Sequence, residues 1–186
     1  MDAAYARAAE YHGFRCNGCS ESCCEERFYH YTLAEHLYLI EGMRSLDTEE
    51  AGEILVRAED VAGFYRLHDL QGGPARVLCP LNFDGLCRLY EYRPMICRLH
   101  GIPHHMKKPD GSGHTGPGCH RFAGEMTPAG MAGPVFERTE YYSGMAAVEI
   151  ELRRLMGFKG RYRKTVAEMV IDIPRTMDKT HPRILL

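Results

Sequence analysis

The sequence contains no apolar run approaching the roughly 20 residues that a membrane-crossing helix needs. Its first residues lack the basic start and apolar block of a secretory signal. Neither sign of charge dominates, because 23 Lys and Arg stand against 25 Asp and Glu, and the resulting net charge of −2 gives no general attraction to nucleic acid. No Ser/His/Asp set or pair of carboxylates has the spacing of a catalytic site. We therefore expect a cytoplasmic protein with no membrane segment and no nucleic-acid partner.

The composition is that of a globular protein. Apolar residues make up 45% and charged residues 26% of the 186 positions, which argues against disorder. We expect a single domain over residues 1–172, whose C-terminal helical part covers 138–172, followed by an extended basic tail over 173–186. Residues 152–186 hold nine Lys and Arg against three Asp and Glu, so the tail is a candidate surface for a protein partner.

Periodicity and capping signals predict a mainly α fold with one small β-hairpin. Helices are predicted over 3–12, from Thr32, over 47–70, over 140–156 and from Thr165. The last long helix is expected to bury one apolar face, formed by Tyr141, Met145, Val148, Leu152 and Leu155. The dipeptide Asp84-Gly85 predicts a hairpin tip. Residues 100–135 are rich in Gly, Pro and His, and we expect a long irregular segment there that a metal pins in place.

The eight cysteines are concentrated in the first two thirds of the chain. They are Cys16, Cys19, Cys23, Cys24, Cys79, Cys87, Cys97 and Cys119. In a reducing compartment such clusters are more often metal sites than disulfides. Four thiols within nine residues would also strain any pair of bridges. The pattern therefore favours a metal site.

The spacing of the early cysteines favours thiolate ligation of a metal. Cys16 and Cys19 have the two-residue separation of a metal knuckle. Adjacent side chains rarely face the same way, so which of Cys23 and Cys24 serves the same metal stays open. The predicted hairpin would fold back onto this first loop and make the metal the staple between them. Both zinc and an iron–sulfur cluster accept such ligands, and the spacing does not choose between them.

Arginines lie next to several cysteines in sequence: Arg15, Arg88, Arg98 and Arg121. A centre of several thiolates is anionic, and guanidinium groups would stabilise it. The chain has many arginines, so chance adjacency is the alternative explanation.

The cysteines and their flanking residues resemble a known family. Cys16-x-x-Cys19, then Cys23-Cys24, and downstream Cys87 followed by Tyr90, Tyr92, Arg93, Pro94, Cys97 and Arg98, are similar to a cysteine-cluster family described as a zinc- or iron-chelating domain. The similarity covers about residues 14–120, and a larger, distant relative is a flagellin lysine N-methylase.

The resemblance implies the ligands and the metal. It implies that Cys16, Cys19, Cys23 or Cys24, Cys79, Cys87 and Cys97 bind the metal, and we add Cys119 by inference. On family grounds an iron–sulfur cluster, for instance of the 4Fe–4S type, is favoured over zinc.

The alternative function is a small methyltransferase-like or redox enzyme that uses the cluster together with S-adenosylmethionine. Its ligand pocket would lie near Arg93 and Arg98, which are the candidate cofactor-binding residues, and near the histidine-rich segment.

Two further features have ordinary explanations. His100, His104 and His105 are expected to be solvated rather than metal ligands, and His120 beside Cys119 is the best substitute ligand. The glycine-rich residues 111–118 follow no predicted strand, so we expect a flexible loop rather than a phosphate cradle.

Overall fold

The computed structural model describes residues 1–15, 23–72, 75–119, 122 and 135–173. Helices make up 55% of this part of the chain, which confirms the mainly α class. The α-helices are α1 (Asp2–Tyr11), α2 (Leu33–Arg44), α3 (Thr48–Gln71), α4 (Met95–Leu99), α5 (Thr139–Met156) and α6 (Val166–Ile171). Two short 3₁₀ turns cover Cys23–Glu25 and Tyr90–Tyr92. The tail over 173–186 falls outside the described residues beyond position 173.

The chain divides into two compact units. The first consists of Met1–Cys23 and Met95–Phe158, and the second of Cys24–Pro94 and Lys159–Leu186. The single domain over residues 1–172 stays a prediction.

The second unit is built on α3, the longest described helix. The Asp47 side chain accepts a hydrogen bond from the Glu50 amide (2.8 Å) and so caps the helix where the sequence predicted. Five residues at helical spacing along it are buried: Ile54, Ala58, Val61, Ala62 and Tyr65. Helix α6 packs against α3, and its start at Thr165 carries the predicted capping box with Glu168.

Helix α2 contacts its neighbours in the second unit through a glycine and a histidine. Gly42 faces the Tyr92 ring so closely that an added Cβ would lie 2.6 Å from it. On the same helix, Nε2 of the buried His36 donates a hydrogen bond to the Met169 carbonyl of α6 (2.9 Å). At both contacts, helix α2 itself contributes no large apolar side chain.

The first unit has its own apolar core. Helices α1 and α4 contact each other, and buried residues outside these two helices complete the core. Its buried members are Ala9, Phe14, Met95, Leu99, Ile102, Phe122 and Phe136.

The expectation of an irregular segment over 100–135 is wrong for its described part. Strand β3 (His104–Lys107) pairs antiparallel with β4 (Gly113–Gly116) and parallel with β5 (Phe136–Glu137). The turn between β3 and β4 contains Pro-Asp-Gly, and Oδ1 of Asp110 accepts hydrogen bonds from the Ser112 amide (2.8 Å) and hydroxyl (2.6 Å). Pro-Asp-Gly is typical of a turn. The flanking strands consist mostly of His, Lys, Thr and Gly, so they lack the apolar alternation that predicts a strand.

The second hairpin, predicted at Asp84-Gly85, is confirmed. Strand β1 (Asn82–Phe83) pairs antiparallel with β2 (Leu86–Cys87). Asp84 and Gly85 both adopt left-handed backbone angles, with φ of 51° and 83°, as a tight two-residue hairpin turn requires.

Helix α5 ends at Gly157 as predicted, but its buried face differs from the predicted one. Val148 and Leu155 are 56% and 68% exposed, whereas Glu149 is buried and accepts a hydrogen bond from Arg153 (2.5 Å). The apolar spacing therefore predicted the helix correctly but not its burial, because Tyr141, Met145 and Leu152 are half-buried and Val148 and Leu155 are exposed.

Among the described helices, none combines the length and the apolar character needed to cross a membrane.

Gly42→Ala is expected to destabilise the protein by about 1–3 kcal/mol, because its Cβ would overlap the Tyr92 ring. Gly52→Ala is the matched control, since it lies in α3 with nothing within 4 Å of the added Cβ. This variant should be neutral or gain up to about 1 kcal/mol from higher helix propensity. Urea unfolding compares the two, and equal midpoints would contradict the close contact.

His36 should make stability depend on pH. Burial is the main cause that lowers its pKa to about 4 from an ordinary 6.5, so the unfolded chain binds the proton more tightly. The protonation of His36 therefore leaves the free energy of unfolding unchanged above about pH 6.5. As pH falls from there to 4, it lowers the free energy of unfolding by about 3 kcal/mol. Urea unfolding of wild type and His36→Gln between these pH values should give a flatter profile for the variant. Parallel profiles would contradict this role.

Candidate metal centre

Six of the eight cysteines lie among the described residues, and all six are half-buried: Cys23, Cys24, Cys79, Cys87, Cys97 and Cys119. No disulfide joins any of them. Cys16 and Cys19, the predicted metal knuckle, lie outside the described residues.

A backbone hydrogen bond joins the early cysteine run to the segment before the hairpin. The Cys79 amide donates to the Cys24 carbonyl (2.8 Å). The Cys24 end of this contact lies in the 3₁₀ turn, whose Glu25 carboxylate forms an ion pair with Arg76 (3.5 Å). Two residues that are distant in sequence are thus held side by side in the second unit.

The hairpin positions Cys87 close to this contact. Cys87 ends β2 and pairs with Asn82 across the ladder. Arg57 of α3 donates a hydrogen bond to the Asn82 carbonyl (2.6 Å), and its guanidinium lies 4.0 Å from the centre of the Phe83 ring. These contacts fasten the hairpin to the longest helix of the unit, so the position of Cys87 is determined by both.

Electrostatic effects connect the Cys87 thiol to Cys24. Burial is the largest effect, and it raises the pKa of Cys87. A hydrogen bond with the Leu89 backbone lowers this pKa. Of the nearby groups, the Cys24 thiol raises the pKa and the Arg93 guanidinium lowers it. Burial and the neighbouring Cys24 thiol both oppose the ionisation of Cys87, and a bound cation would offset both effects.

Cys79 belongs to the same region. The pKa of Tyr65 is raised to about 12. Burial is the largest cause, and the Cys79 thiol is the second. Cys24 therefore lies near both Cys79 and Cys87 in the second unit. That a metal joins the early run to the hairpin stays a prediction. Among the residues that the structure describes, no three His, Cys, Asp or Glu side chains form a group able to hold a metal ion.

Cys97 and Cys119 belong to the first unit. Cys97 lies on the short helix α4. The Cys119 amide donates to the Gly101 carbonyl (2.9 Å), and its Sγ accepts a hydrogen bond from the Phe122 amide (3.4 Å). Cys119 also packs against the apolar core of this unit, which gives it a local structural role. Metal ligation by Cys97 and Cys119 stays a prediction.

Two arginines that follow cysteines in sequence are engaged elsewhere. Arg88 pairs with Glu50 (3.4 Å), and the buried Arg98 donates to Asp2 (2.5 Å). Sequence adjacency is therefore a poor guide here, because consecutive side chains point to opposite faces of an extended segment and lie about 100° apart around a helix such as α4. Arg121 lies outside the described residues.

The charge of Arg93 reaches the Cys87 thiol. Its Nε donates to the Tyr90 carbonyl (2.7 Å), and its guanidinium lies 3.4 Å from the centre of the Tyr90 ring. This local anchoring holds the charge where it lowers the pKa of Cys87. Cofactor binding by Arg93 and Arg98, and with it the S-adenosylmethionine enzyme, stays a prediction.

No family model matches this chain, and neither does any curated protein or solved structure. Membership of the cysteine-cluster family therefore stays a prediction from the residues.

Removing the Arg93 charge should slow the reaction of Cys87 with iodoacetamide in metal-free, reduced protein. Arg93→Gln removes a cation that lowers the pKa of Cys87, so less thiolate is present at pH 8 and the rate should fall. Arg88→Gln is the control, because Arg88 is adjacent in sequence but is held by Glu50. Alkylation of Cys87 followed by mass spectrometry measures both, and equal rates would count against the role of Arg93.

Proposed function

We propose that this chain is a metal-binding cysteine-cluster protein that holds an iron–sulfur cluster, or alternatively zinc, through thiolates. The observation that carries the proposal is the shared neighbourhood of Cys24, Cys79 and Cys87, in which an early cysteine lies beside two cysteines of the later segment. Metal ligation by the other predicted cysteines stays a prediction: Cys16, Cys19, Cys23, Cys97 and Cys119.

The donor chemistry supports a soft or borderline metal. Sulfur ligands select zinc and iron–sulfur clusters over hard cations such as Mg²⁺ and Ca²⁺, which prefer oxygen. Metal binding requires deprotonated thiols, and Cys24 and Cys87 disfavour each other's ionisation in the metal-free protein. A bound centre would supply the positive charge that offsets this repulsion.

Arg93 supports the same arrangement from outside the ligand set. A four-thiolate zinc site carries a net negative charge, and thiolate-bound clusters are also anionic. Arg93 is fixed over the Tyr90 ring and acts on Cys87, so it would stabilise such charge without ligating.

The proposal includes a reducing compartment such as the cytoplasm, because exposure to oxidants would convert the paired thiols to disulfides. A protein partner on the basic tail over 173–186 also remains part of the proposal, and this tail lies outside the described residues beyond position 173.

Cys24→Ser and Cys87→Ser should each lower metal affinity by about tenfold or more. Protein purified and reconstituted without oxygen is analysed for iron, zinc and acid-labile sulfide, and affinity is measured by chelator competition. Brown protein with iron and sulfide in comparable amounts identifies a cluster, and colourless protein with zinc identifies a zinc site.

Arg88→Gln is the matched control, adjacent to Cys87 yet paired with Glu50, and should keep wild-type metal affinity. Circular dichroism shows whether each variant remains folded. Wild-type protein that binds neither metal after reconstitution, or folded serine variants with unchanged affinity, would overturn the proposal.

A further inference from the structure

Two short segments of the second unit lie side by side and alternate between buried and exposed side chains. The backbones of His30 and Lys164 exchange two hydrogen bonds (2.7 and 3.0 Å), which form an isolated antiparallel bridge. Beside this bridge His30 is 2% exposed and Tyr31 is 60% exposed, and the buried Tyr162 is followed by the exposed Arg163. Successive side chains of an extended segment point to opposite sides, so Tyr31 and Arg163 belong to one outward face.

A series of alternating aromatic and cationic side chains leads from the core of the second unit to this outward face. The guanidinium of Arg27 lies 4.4 Å from the ring centre of the buried Tyr65 and 5.1 Å from that of Tyr29. The guanidinium of Arg163 lies 3.5 Å from the centre of the same Tyr29 ring. Such contacts are attractive, so they hold the exposed Arg163 in a defined position at the surface.

The carboxylates that lie beside these segments are engaged by other groups. Asp69 accepts two hydrogen bonds from the Arg27 guanidinium (2.5 and 2.9 Å). Asp172 forms an ion pair with Lys164. Glu168 is used in the capping box of α6.

Arg161 and Arg163 therefore give the outward face a net positive charge. Arg161 precedes Arg163 by two residues, which places both on the same side of an extended segment. Both are exposed, and neither forms an ion pair with a residue that the structure describes. The lowered pKa of Asp69 is due mainly to its hydrogen bonds with Arg27, and Arg163 contributes less. The expectation of no nucleic-acid partner rested on the net charge of the whole chain, which does not describe this local surface.

We propose that this face binds single-stranded nucleic acid, with a base stacked on Tyr31 and phosphate groups bound by Arg161 and Arg163. Bases of any sequence stack on exposed aromatic rings, and arginines supply donors that match phosphate oxygens. The Tyr31 ring makes no ring contact with another described residue, so it is available for stacking. An acidic peptide would pair with the arginines but supplies no planar base for Tyr31, and the combination therefore favours nucleic acid.

Fluorescence anisotropy of the purified full chain tests this surface, with a labelled oligo(U) of about 15 nucleotides as the probe. In about 0.1 M KCl we expect a dissociation constant of about 1–100 µM that rises with salt. Unlabelled oligo(dT) of the same length distinguishes RNA from DNA as the source, and binding of either supports the proposal. A duplex of the same length should bind more weakly, because its paired bases cannot stack on Tyr31.

Tyr31→Leu should weaken binding about fivefold or more, because it removes the ring on which a base stacks. Tyr31→Phe keeps the ring and should bind as wild type. Tyr11→Leu is the matched control, since Tyr11 is 67% exposed but lies on α1 of the first unit. Circular dichroism shows whether each variant remains folded.

Arg161→Gln should weaken binding and lower the slope of log affinity against log salt by about 0.7, the value for one phosphate contact on a single strand. Arg44→Gln removes the same charge from α2, where Glu41 pairs with it (3.3 Å), and should leave the slope unchanged. Unlabelled polyglutamate is the competitor that represents an acidic peptide. Absence of saturable binding, equal affinity for the duplex, competition by polyglutamate as strong as by oligo(U), or equal effects of target and control variants would overturn the proposal.

Discussion

The hydrogen bond from the Cys79 amide to the Cys24 carbonyl is the contact on which the arrangement of the cysteines depends. It closes a long loop that includes α2 and α3, and loop closure of that length costs entropy that a single hydrogen bond does not repay. The closure is supported by the packing of α3 against α6 and by the attachment of the hairpin to α3 through Arg57. The neighbourhood of the three thiols is therefore a product of helix packing as much as of cysteine spacing.

The division of the chain separates the cysteines into two groups. Cys24, Cys79 and Cys87 belong to the unit built on α3, whereas Cys23, Cys97 and Cys119 belong to the unit built on α1, α4 and the three-stranded sheet. The boundary falls between two adjacent cysteines, Cys23 and Cys24. This assignment does not choose between them as metal ligands, and that prediction stays as their spacing left it.

Local signals were sufficient for most of the secondary structure. The Asp47 and Thr165 caps and the Asp84-Gly85 turn act within a few residues, so the chain predicts them without knowledge of the fold. The β3–β4 hairpin and the buried Glu149 were missed because polar residues form them, and apolar periodicity does not mark such positions. Similarly, cysteine spacing did not choose between Cys23 and Cys24, and only the three-dimensional arrangement identifies Arg93 rather than Arg88 as a charge that acts on Cys87.

The Asp84-Gly85 turn has a consequence for the direction of the Cys87 side chain. A two-residue tip sets the pairing of Asn82 with Cys87, and in a strand the parity of the register decides which face a side chain occupies. One residue inserted into or deleted from this tip would rotate Cys87 to the opposite face while leaving its sequence neighbours unchanged. The length of the tip is thus as much a determinant of where this sulfur points as the cysteine itself.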